Sequence, residues 1–143
     1  MTVLDSFAVL ALLKGEPAAG VVRQLIGRGD ASLTPLGVAE VIDHLVRLVG
    51  ASEDEAALDL AQLDLLQGAA VDAAVALHAG MLRARHYHRR DRAVSLADCV
   101  LAAMARALDD TVATADPHLL DLCRDEHIAT HPLPDISGTT WEP

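Results

Sequence analysis

Short apolar runs alternate with longer helix-like segments along almost the whole chain, and this alternation restricts the possible folds more than any other feature. The runs that predict β-strands lie at 3–4, 31–33, 69–71, 112–114 and 128–130. The segments that predict helices lie at 6–14, 18–26, 35–49, 53–66, 73–86, 96–108 and 117–125. Strands that alternate with helices form parallel sheets covered on both faces. The sequence therefore predicts a three-layer α/β/α fold with a mostly parallel sheet of four or five short strands.

The composition indicates one domain with an aliphatic core. A chain of 143 residues has the usual length of a single domain. Hydrophobic residues make up 52% of it but aromatic residues only 2%, so Ala, Val, Leu and Ile must fill the core. Three of the six prolines lie after residue 131, where the sequence has little periodicity. We expect the domain to span residues 1–131 and residues 132–143 to form a loop-like tail.

The sequence contains no segment that predicts a membrane span or a secretory leader. No apolar run approaches the roughly 18 residues that a membrane-spanning helix needs. The N-terminal residues lack the basic region of a signal peptide. Both cysteines, Cys99 and Cys123, lie in helix-like segments. We therefore expect a cytoplasmic protein with reduced thiols, with a disulfide between the two as the alternative.

Four acidic residues occupy positions at which an α/β fold binds ligands. Asp5 and Asp116 lie just past predicted strands. Asp98 lies in the first turn of a predicted helix, and Glu40 in the second turn of a helix that follows a strand. Ligands of open α/β sheets bind beyond the carboxyl ends of the strands, so the fold could bring these side chains together. Clustered carboxylates repel one another, and a bound Mg²⁺ relieves that repulsion and assists attack on a phosphodiester.

Each of these acids also has a structural interpretation. Asp116 is a suitable N-cap before a proline, and Asp98 has capping-box spacing from Ser95. Glu40 shares a polar helix face with other charged residues. Asp5 is the hardest to explain in this way, because a carboxylate in a central strand is costly to bury without a partner.

Basic residues are concentrated in one segment of an acidic chain. The net charge is −10, yet five of the 11 basic residues lie within ten positions. These five are Arg83, Arg85, Arg89, Arg90 and Arg92. Such a segment can bind phosphate groups, dock an acidic partner or be a solvated helix face.

Four segments combine small, apolar and acidic residues in a recognisable order. They are Val-Leu-Asp-Ser-Phe-Ala-Val-Leu-Ala-Leu-Leu from position 3, Thr-Pro-Leu-Gly-Val-Ala-Glu-Val from 34, Val-Ser-Leu-Ala-Asp-Cys-Val-Leu-Ala-Ala from 94 and Val-Ala-Thr-Ala-Asp-Pro-His-Leu from 112. Together they resemble the PIN-domain family and, within it, the VapC-type toxins of bacterial toxin–antitoxin pairs. The resemblance extends over residues 1 to about 130, and the tail lies outside it.

The resemblance implies a Mg²⁺- or Mn²⁺-dependent endoribonuclease. It implies that Asp5 and Asp98 bind the metal ion directly and that Asp116 completes its coordination. Glu40 would orient a water molecule or a second ion. Family members usually form homodimers, and an antitoxin inhibits them by inserting its C-terminal segment into the acidic groove.

The resemblance also gives roles to other positions. Ser6 and Thr114 match hydroxyl positions that support the acids. The arginine-rich segment is more basic than the family requires, and we expect it to contact RNA phosphates, with a solvated helix and loop as the alternative. His86, Tyr87 and His88 would be available there to stack on bases.

Two other functions are compatible with the sequence. The chain could be a catalytically silent module that keeps the fold and binds an antitoxin or RNA. It could also be a phosphatase of another α/β class with an aspartate at a strand end. The phosphatase is disfavoured because Asp5 is followed by Ser6 and Phe7, with no second acid two positions further on.

Overall fold

The computed structural model describes residues 1–143 and contains four short strands and seven α-helices. The strands are β1 (Thr2–Leu4), β2 (Ala31–Leu33), β3 (Thr111–Thr114) and β4 (Thr130–Pro132). The helices are α1 (Ser6–Lys14), α2 (Ala19–Gly27), α3 (Pro35–His44), α4 (Glu53–Ala61), α5 (Ala73–His86), α6 (Leu96–Leu108) and α7 (Pro117–Asp125). A π-helical turn, Leu45–Val49, extends α3. None of the helices combines the length and apolar character needed to cross a membrane.

The four strands form one parallel sheet in the order β2-β1-β3-β4. Leu4 of β1 is in register with Leu33 of β2 and with Ala113 of β3. Thr114 of β3 is in register with Pro132 of β4. Strands β1 and β3 therefore occupy the centre of the sheet, and their carboxyl ends lie side by side at one edge of it. The predicted parallel sheet is confirmed, with four strands.

Alternate residues of the central strands pack into two hydrophobic clusters on opposite faces of the sheet. Val3 and Val112 pack with α5, α6 and α7 on one face. Leu4 and Ala113 pack with α1, α2, α3 and α4 on the other. This alternation follows from the two-residue period of a β-strand. Helices on both faces of the sheet give the three-layer α/β/α fold that the sequence predicts.

Polar side chains cap the helices that carry the acidic residues. The Thr34 hydroxyl accepts a backbone hydrogen bond at the start of α3. Ser95 and Asp98 form a complete capping box at the start of α6. The carboxylate of Asp116 accepts the backbone N–H of His118 at the start of α7. Since one such cap stabilises a helix by about 1 kcal/mol, Asp98 and Asp116 do have structural roles.

Two of the strand predictions are wrong. Residues 69–71 pair with no strand, and Val71 instead packs against the cluster formed with α5 and α6, which accounts for its apolar character. The last strand lies at Thr130–Pro132 and not at 128–130, because Ile128 is a buried core residue that precedes the pairing. A proline at the end of an edge strand is tolerated, since no neighbouring strand needs its missing N–H.

The C-terminal residues, for which a loop-like tail was predicted, are anchored to the rest of the domain. Leu133 is completely buried, and its N–H donates to the carbonyl of Thr114 at 2.9 Å. Pro134 and Thr140 then form an isolated antiparallel bridge around a turn. We call residues 134–140 the C-terminal hairpin.

Both cysteines are free and completely buried in the same hydrophobic cluster. Burial raises the pKa of the Cys99 thiol to about 11 and that of the Cys123 thiol to about 12. Both side chains therefore act as small apolar core residues.

Candidate active site

Asp5 follows β1 directly, at the carboxyl end of a central strand. Its backbone N–H donates to the carbonyl of Ala113 at 3.0 Å, and only 8% of the residue is exposed. The Thr114 hydroxyl donates to Oδ2 at 2.7 Å and the Ser6 hydroxyl to Oδ1 at 3.3 Å. Burial raises the pKa of Asp5 to about 6, and the nearby charge of Asp98 acts in the same direction. Asp5 is therefore a buried carboxyl held in place by neutral hydroxyl donors.

Thr114 connects two of the acids through a single hydroxyl. It is completely buried at the end of β3. Its Oγ1 donates to Asp5 and accepts the backbone N–H of Asp116 at 3.0 Å. A hydroxyl can donate one hydrogen bond while it accepts others, so both contacts are satisfied together. Thr114 thus fixes the end of β1 relative to the start of α7.

Asp98 and Glu40 reach the same region from two other helices. Burial and the charge of Asp116 raise the pKa of Asp98, although the backbone N–H and hydroxyl of Ser95 partly offset this. Glu40 as a whole residue is exposed on α3. Partial burial of its carboxyl and the charges of Asp5 and Asp98 nevertheless raise its pKa. Asp5 and Asp98 thus interact electrostatically with each other, with Glu40 and with Asp116.

The donor chemistry of this region fits a hard divalent cation, although no ready-made cage exists. No group of three acidic, histidine or cysteine side chains is arranged closely enough to hold a metal ion by itself. The available donors are carboxylate and hydroxyl oxygens, which are the ligands that Mg²⁺ prefers. Because Mg²⁺ keeps several of its waters, a few carboxylates at longer range are sufficient.

A cleft of about 370 Å³ opens beside the two acids that Thr114 connects. Its lining residues are Asp5, Ser6, Phe7, Ala115, Asp116, Asp135 and Ile136. Asp135 and Ile136 belong to the C-terminal hairpin and are not among the site residues predicted from the sequence. The only sequence signal for them was local, since Asp-x-Ser-Gly-Thr from position 135 is typical of a tight turn stabilised by an aspartate.

The arginine-rich segment does not form one continuous basic patch. Arg83 donates to the carbonyl of Val94 at 3.2 Å and stacks over Tyr87. Arg85 forms a salt bridge with Glu126, and Arg92 forms one with Asp125. The two remaining residues, Arg89 and Arg90, are exposed and form no salt bridge. Within this segment, the guanidinium groups of Arg89 and Arg90 are the two without a hydrogen bond, salt bridge or stacking contact in the protein.

Arg89 and Arg90 lie in a tight turn beside the acidic region. An antiparallel bridge between His88 and Arg92 closes this turn, which we call the basic turn (residues 88–92). His88 Nδ1 accepts the backbone N–H groups of Arg90 and Asp91, at 3.3 Å and 3.1 Å. The carbonyl of Asp91 lies 3.3 Å from Nδ1 of His118, in the first turn of α7. The basic turn therefore adjoins the helix start that Asp116 caps.

Several solved structures share this fold. The chain is similar to FitAcB from Neisseria gonorrhoeae, with a TM-score of 0.66, 23% sequence identity, and coverage of 91% of this chain and 96% of that one. It is also similar to VapBC2 from Rickettsia felis, bound to a DNA fragment from its promoter, and to VapBC-1 from nontypeable Haemophilus influenzae. Each of these two has a TM-score of 0.64, 14% identity and the same coverage.

The family assignment comes from the sequence match. No curated protein matches the chain. The family model of the PIN domain, however, matches residues 2–125, which include all four carboxylates and the central strands that position them. The chain belongs to the PIN domain family, a family of nucleases.

Proposed function

We propose that this protein is a Mg²⁺- or Mn²⁺-dependent endoribonuclease that hydrolyses RNA phosphodiester bonds and is the toxin of a type II toxin–antitoxin pair. One observation carries the proposal. Asp5 is buried at the end of a central strand, within electrostatic range of three other carboxylates. None of the four acids takes part in a salt bridge.

An uncompensated cluster of this kind is explained by an external cation. Asp5, Asp98 and Asp116 would hold the metal ion, because they are the acids fixed by caps, by Thr114 and by burial. When bound there, a divalent cation supplies charge neutralisation for a phosphate under attack. Without it, the Asp5 carboxylate is buried with no positive charge beside it, which is unfavourable.

Glu40, Ser6 and Thr114 would act on water and on the metal-binding acids. Glu40 is the most exposed of the four acids, and it would orient the attacking water and accept its proton. The Ser6 hydroxyl donates to Asp5 and also lowers the pKa of Glu40, so it would influence both acids. Thr114 would hold Asp5 in one orientation throughout.

RNA binding would require positive charge beside this acidic cleft. Arg89 and Arg90 of the basic turn supply it, since they form no internal salt bridge and lie next to α7. Phosphates of a single strand that crosses the cleft would contact them. Arg83, Arg85 and Arg92 have internal partners and would contribute less.

The toxin assignment is supported by the VapC-type sequence pattern and by the similarity to two structures named VapBC. We accordingly propose a cytoplasmic homodimer that a cognate antitoxin inhibits by occupying the acidic cleft. A small reading frame beside this gene, with a DNA-binding N-terminus and a disordered tail, would encode that partner.

The first experiment is RNA cleavage by the purified protein with Mg²⁺, with Mn²⁺ and with a chelator. We expect cleavage that stops on chelation. Asp5→Asn should lower the rate by on the order of 10²–10³-fold or more, as is usual when one group of an electrostatic site is removed. The matched control is Asp109→Asn, an exposed position at the other end of α6, which should cleave at the parental rate. Parental cleavage by Asp5→Asn would refute the mechanism.

A second candidate function is a catalytically silent module that binds an antitoxin or RNA. It is favoured by the lack of three closely grouped metal-binding side chains. The same assay separates the two, because the silent module predicts no turnover under any metal condition while RNA still binds in a gel-shift measurement.

A further inference from the structure

Two residues of the C-terminal hairpin form a wall of the acidic cleft, although the hairpin lies beyond the part of the chain that the family model matches. We propose that Ile136 is a specificity-determining residue that packs against a nucleobase of a single-stranded RNA substrate, next to the phosphate that is cleaved. The inference rests on the proposed ribonuclease function and extends it to a chain-specific element.

The hairpin holds Ile136 in a fixed position. Oδ1 of Asp135 accepts three hydrogen bonds across the turn, from the backbone N–H and hydroxyl of Ser137 and from the backbone N–H of Thr139, at 2.7–3.0 Å. Gly138 adopts a left-handed φ of 85°, which a glycine accepts without strain. Asp135 and Thr139 also pair through their backbones at 2.9 Å. Ile136 is therefore preorganised at the mouth of the cleft.

The hairpin is also tied to the catalytic strand. Leu133, which precedes it, is completely buried and bonds to the carbonyl of Thr114, the residue whose hydroxyl holds Asp5. The guanidinium of Arg124 lies 5.9 Å from the ring centre of Trp141 on the other side of the hairpin. A displacement of the hairpin relative to Asp5 would break these contacts.

Ile136 has no partner within the protein that explains its apolar side chain. It is 73% exposed, more than any other large hydrophobic residue of the chain. It shares the cleft with Phe7, the only phenylalanine, whose ring is partly buried against the core. Asp5 and Asp116 line the same cleft. Two apolar side chains beside two carboxylates fit a flat, uncharged base attached to a phosphate.

The charge of the cleft favours a base over other ligands beside Phe7 and Ile136. Asp5, Asp116 and Asp135 line the cleft, and it contains no basic residue. An acidic wall repels the phosphates of a free strand, so contacts to the base must supply part of the binding energy. Apolar and aromatic side chains do so in single-stranded RNA sites, where bases are unstacked and accessible. A duplex keeps its bases stacked and would not offer one.

The test compares Ile136→Ala and Ile136→Phe with the parent. KM and kcat are measured on a short single-stranded RNA, and cleavage positions are mapped in a pool of random sequence. The variants are also made in the Asp5→Asn background, in which binding of fluorescein-labelled RNA is measured without turnover. Leu108→Ala is the matched control, because Leu108 is an exposed aliphatic residue at the end of α6 away from Asp98.

For Ile136→Ala we expect KM to rise about three- to tenfold with kcat within about twofold, as loss of a partly buried aliphatic contact predicts. The preference for one base beside the cleaved bond should weaken. Ile136→Phe should keep or lower KM, because an aromatic ring stacks on a base more favourably. The control should match the parent in each measurement.

Unchanged KM, binding and cleavage positions in Ile136→Ala, in a parent that cleaves RNA, would overturn the inference and leave the proposed function intact. A parent that does not cleave would refute the proposed function alone if Ile136→Ala still weakens RNA binding. A parent that neither cleaves nor binds RNA would overturn both.

Discussion

The acidic cleft and the cluster around Glu126 both contain carboxyl groups, but the two regions shift the pKa of these groups in opposite directions. At the cleft, burial and like charges raise the pKa of Asp5, and they do the same for Glu40 and Asp98 outside its lining. In the Glu126 cluster, hydrogen bonds from His86 and Arg106 lower the pKa of the Glu126 carboxyl. The first region lacks its counter-charges, and the second contains them.

The difference separates a binding site from a structural contact. The carboxylate of Glu126 contacts Arg106 at 2.7 Å, Arg85 at 3.4 Å and the ring of His86, and so links α5 and α6 to the end of α7. The negative charge of Glu126 is therefore compensated within the fold. Asp5, Asp98 and Asp116 accept hydrogen bonds only from hydroxyls and backbone N–H groups. The positive charge that would compensate them therefore has to come from a ligand. Three experiments test this distinction, from the largest expected effect to the smallest.

The largest effect is expected from Asp5→Asn in the metal-free protein. The pKa of Asp5 rises from 3.8 to about 6 on folding. The protonated carboxyl therefore contributes its full stabilisation of the fold below about pH 4, and this stabilisation is lost as the pH rises through 6. The Asn side chain cannot ionise, so the variant does not lose this stabilisation. It should be more stable than the parent at pH 7.5 by about 2–3 kcal/mol, since one pKa unit corresponds to about 1.4 kcal/mol. Urea unfolding in chelator at pH 4 and pH 7.5 measures it.

Mg²⁺ supplies the control for this variant. The ion should raise the unfolding temperature of the parent more than that of Asp5→Asn, because only the parent has the full negative charge to compensate. Asp109→Asn should follow the parent at both pH values. Equal stability of Asp5→Asn and the parent at pH 7.5 would show that Asp5 does not bear an uncompensated charge.

A smaller and opposite effect is expected from Glu126→Gln. Losing charged hydrogen bonds to His86 and Arg106 should destabilise the protein by about 1–2 kcal/mol at neutral pH, with cleavage unchanged. Because the pKa of Glu126 is lowered, this stabilisation is present above its ordinary value of 4.5 and disappears as the pH falls below it. Thermal unfolding at pH 7.5 and pH 3.5 checks both statements. Glu142→Gln, at an exposed position, is the control, and a loss of cleavage in Glu126→Gln would contradict the structural role.

The smallest effect is expected from Arg89→Gln with Arg90→Gln. Removing two phosphate contacts should weaken binding of single-stranded RNA about three- to tenfold and reduce its salt slope by about 1.4, at roughly 0.7 per contact. Fluorescence anisotropy in a salt series measures both. The same charge change at Arg23 and Arg28 on and after α2, far along the chain from the basic turn, should leave the slope unchanged. An unchanged slope in the Arg89 and Arg90 variant would mean that the basic turn does not contact RNA.

Much of the architecture could be predicted because local signals agree with the fold. The strand before Asp5, the cap at Thr34 and the capping box of Ser95 and Asp98 all lie where the sequence places them. Residues 69–71 show the limit of such reasoning, because an apolar run gives the same signal when it packs against helices as when it pairs in a sheet.

The composition of the cleft could be predicted only in part. Asp5 and Asp116, which line the cleft, lie just past strands, where the sequence places them. The sequence could not show which arginines have partners within the protein. The partners of Arg85 and Arg92 lie at the end of α7 or just after it, more than 30 positions away. The contribution of the C-terminal hairpin depends on the buried anchor at Leu133, which no local pattern reveals.

The two buried cysteines have a practical consequence for observing the cleft. Thiols with pKa values of about 11 and 12, enclosed in the core, react slowly with maleimides at neutral pH. At neutral pH maleimides react with amines far more slowly than with exposed thiols, and Lys14 is the only lysine. The variant Ile136→Cys would therefore carry a dye at one chosen position, and the arrival of RNA at the cleft could be followed in real time.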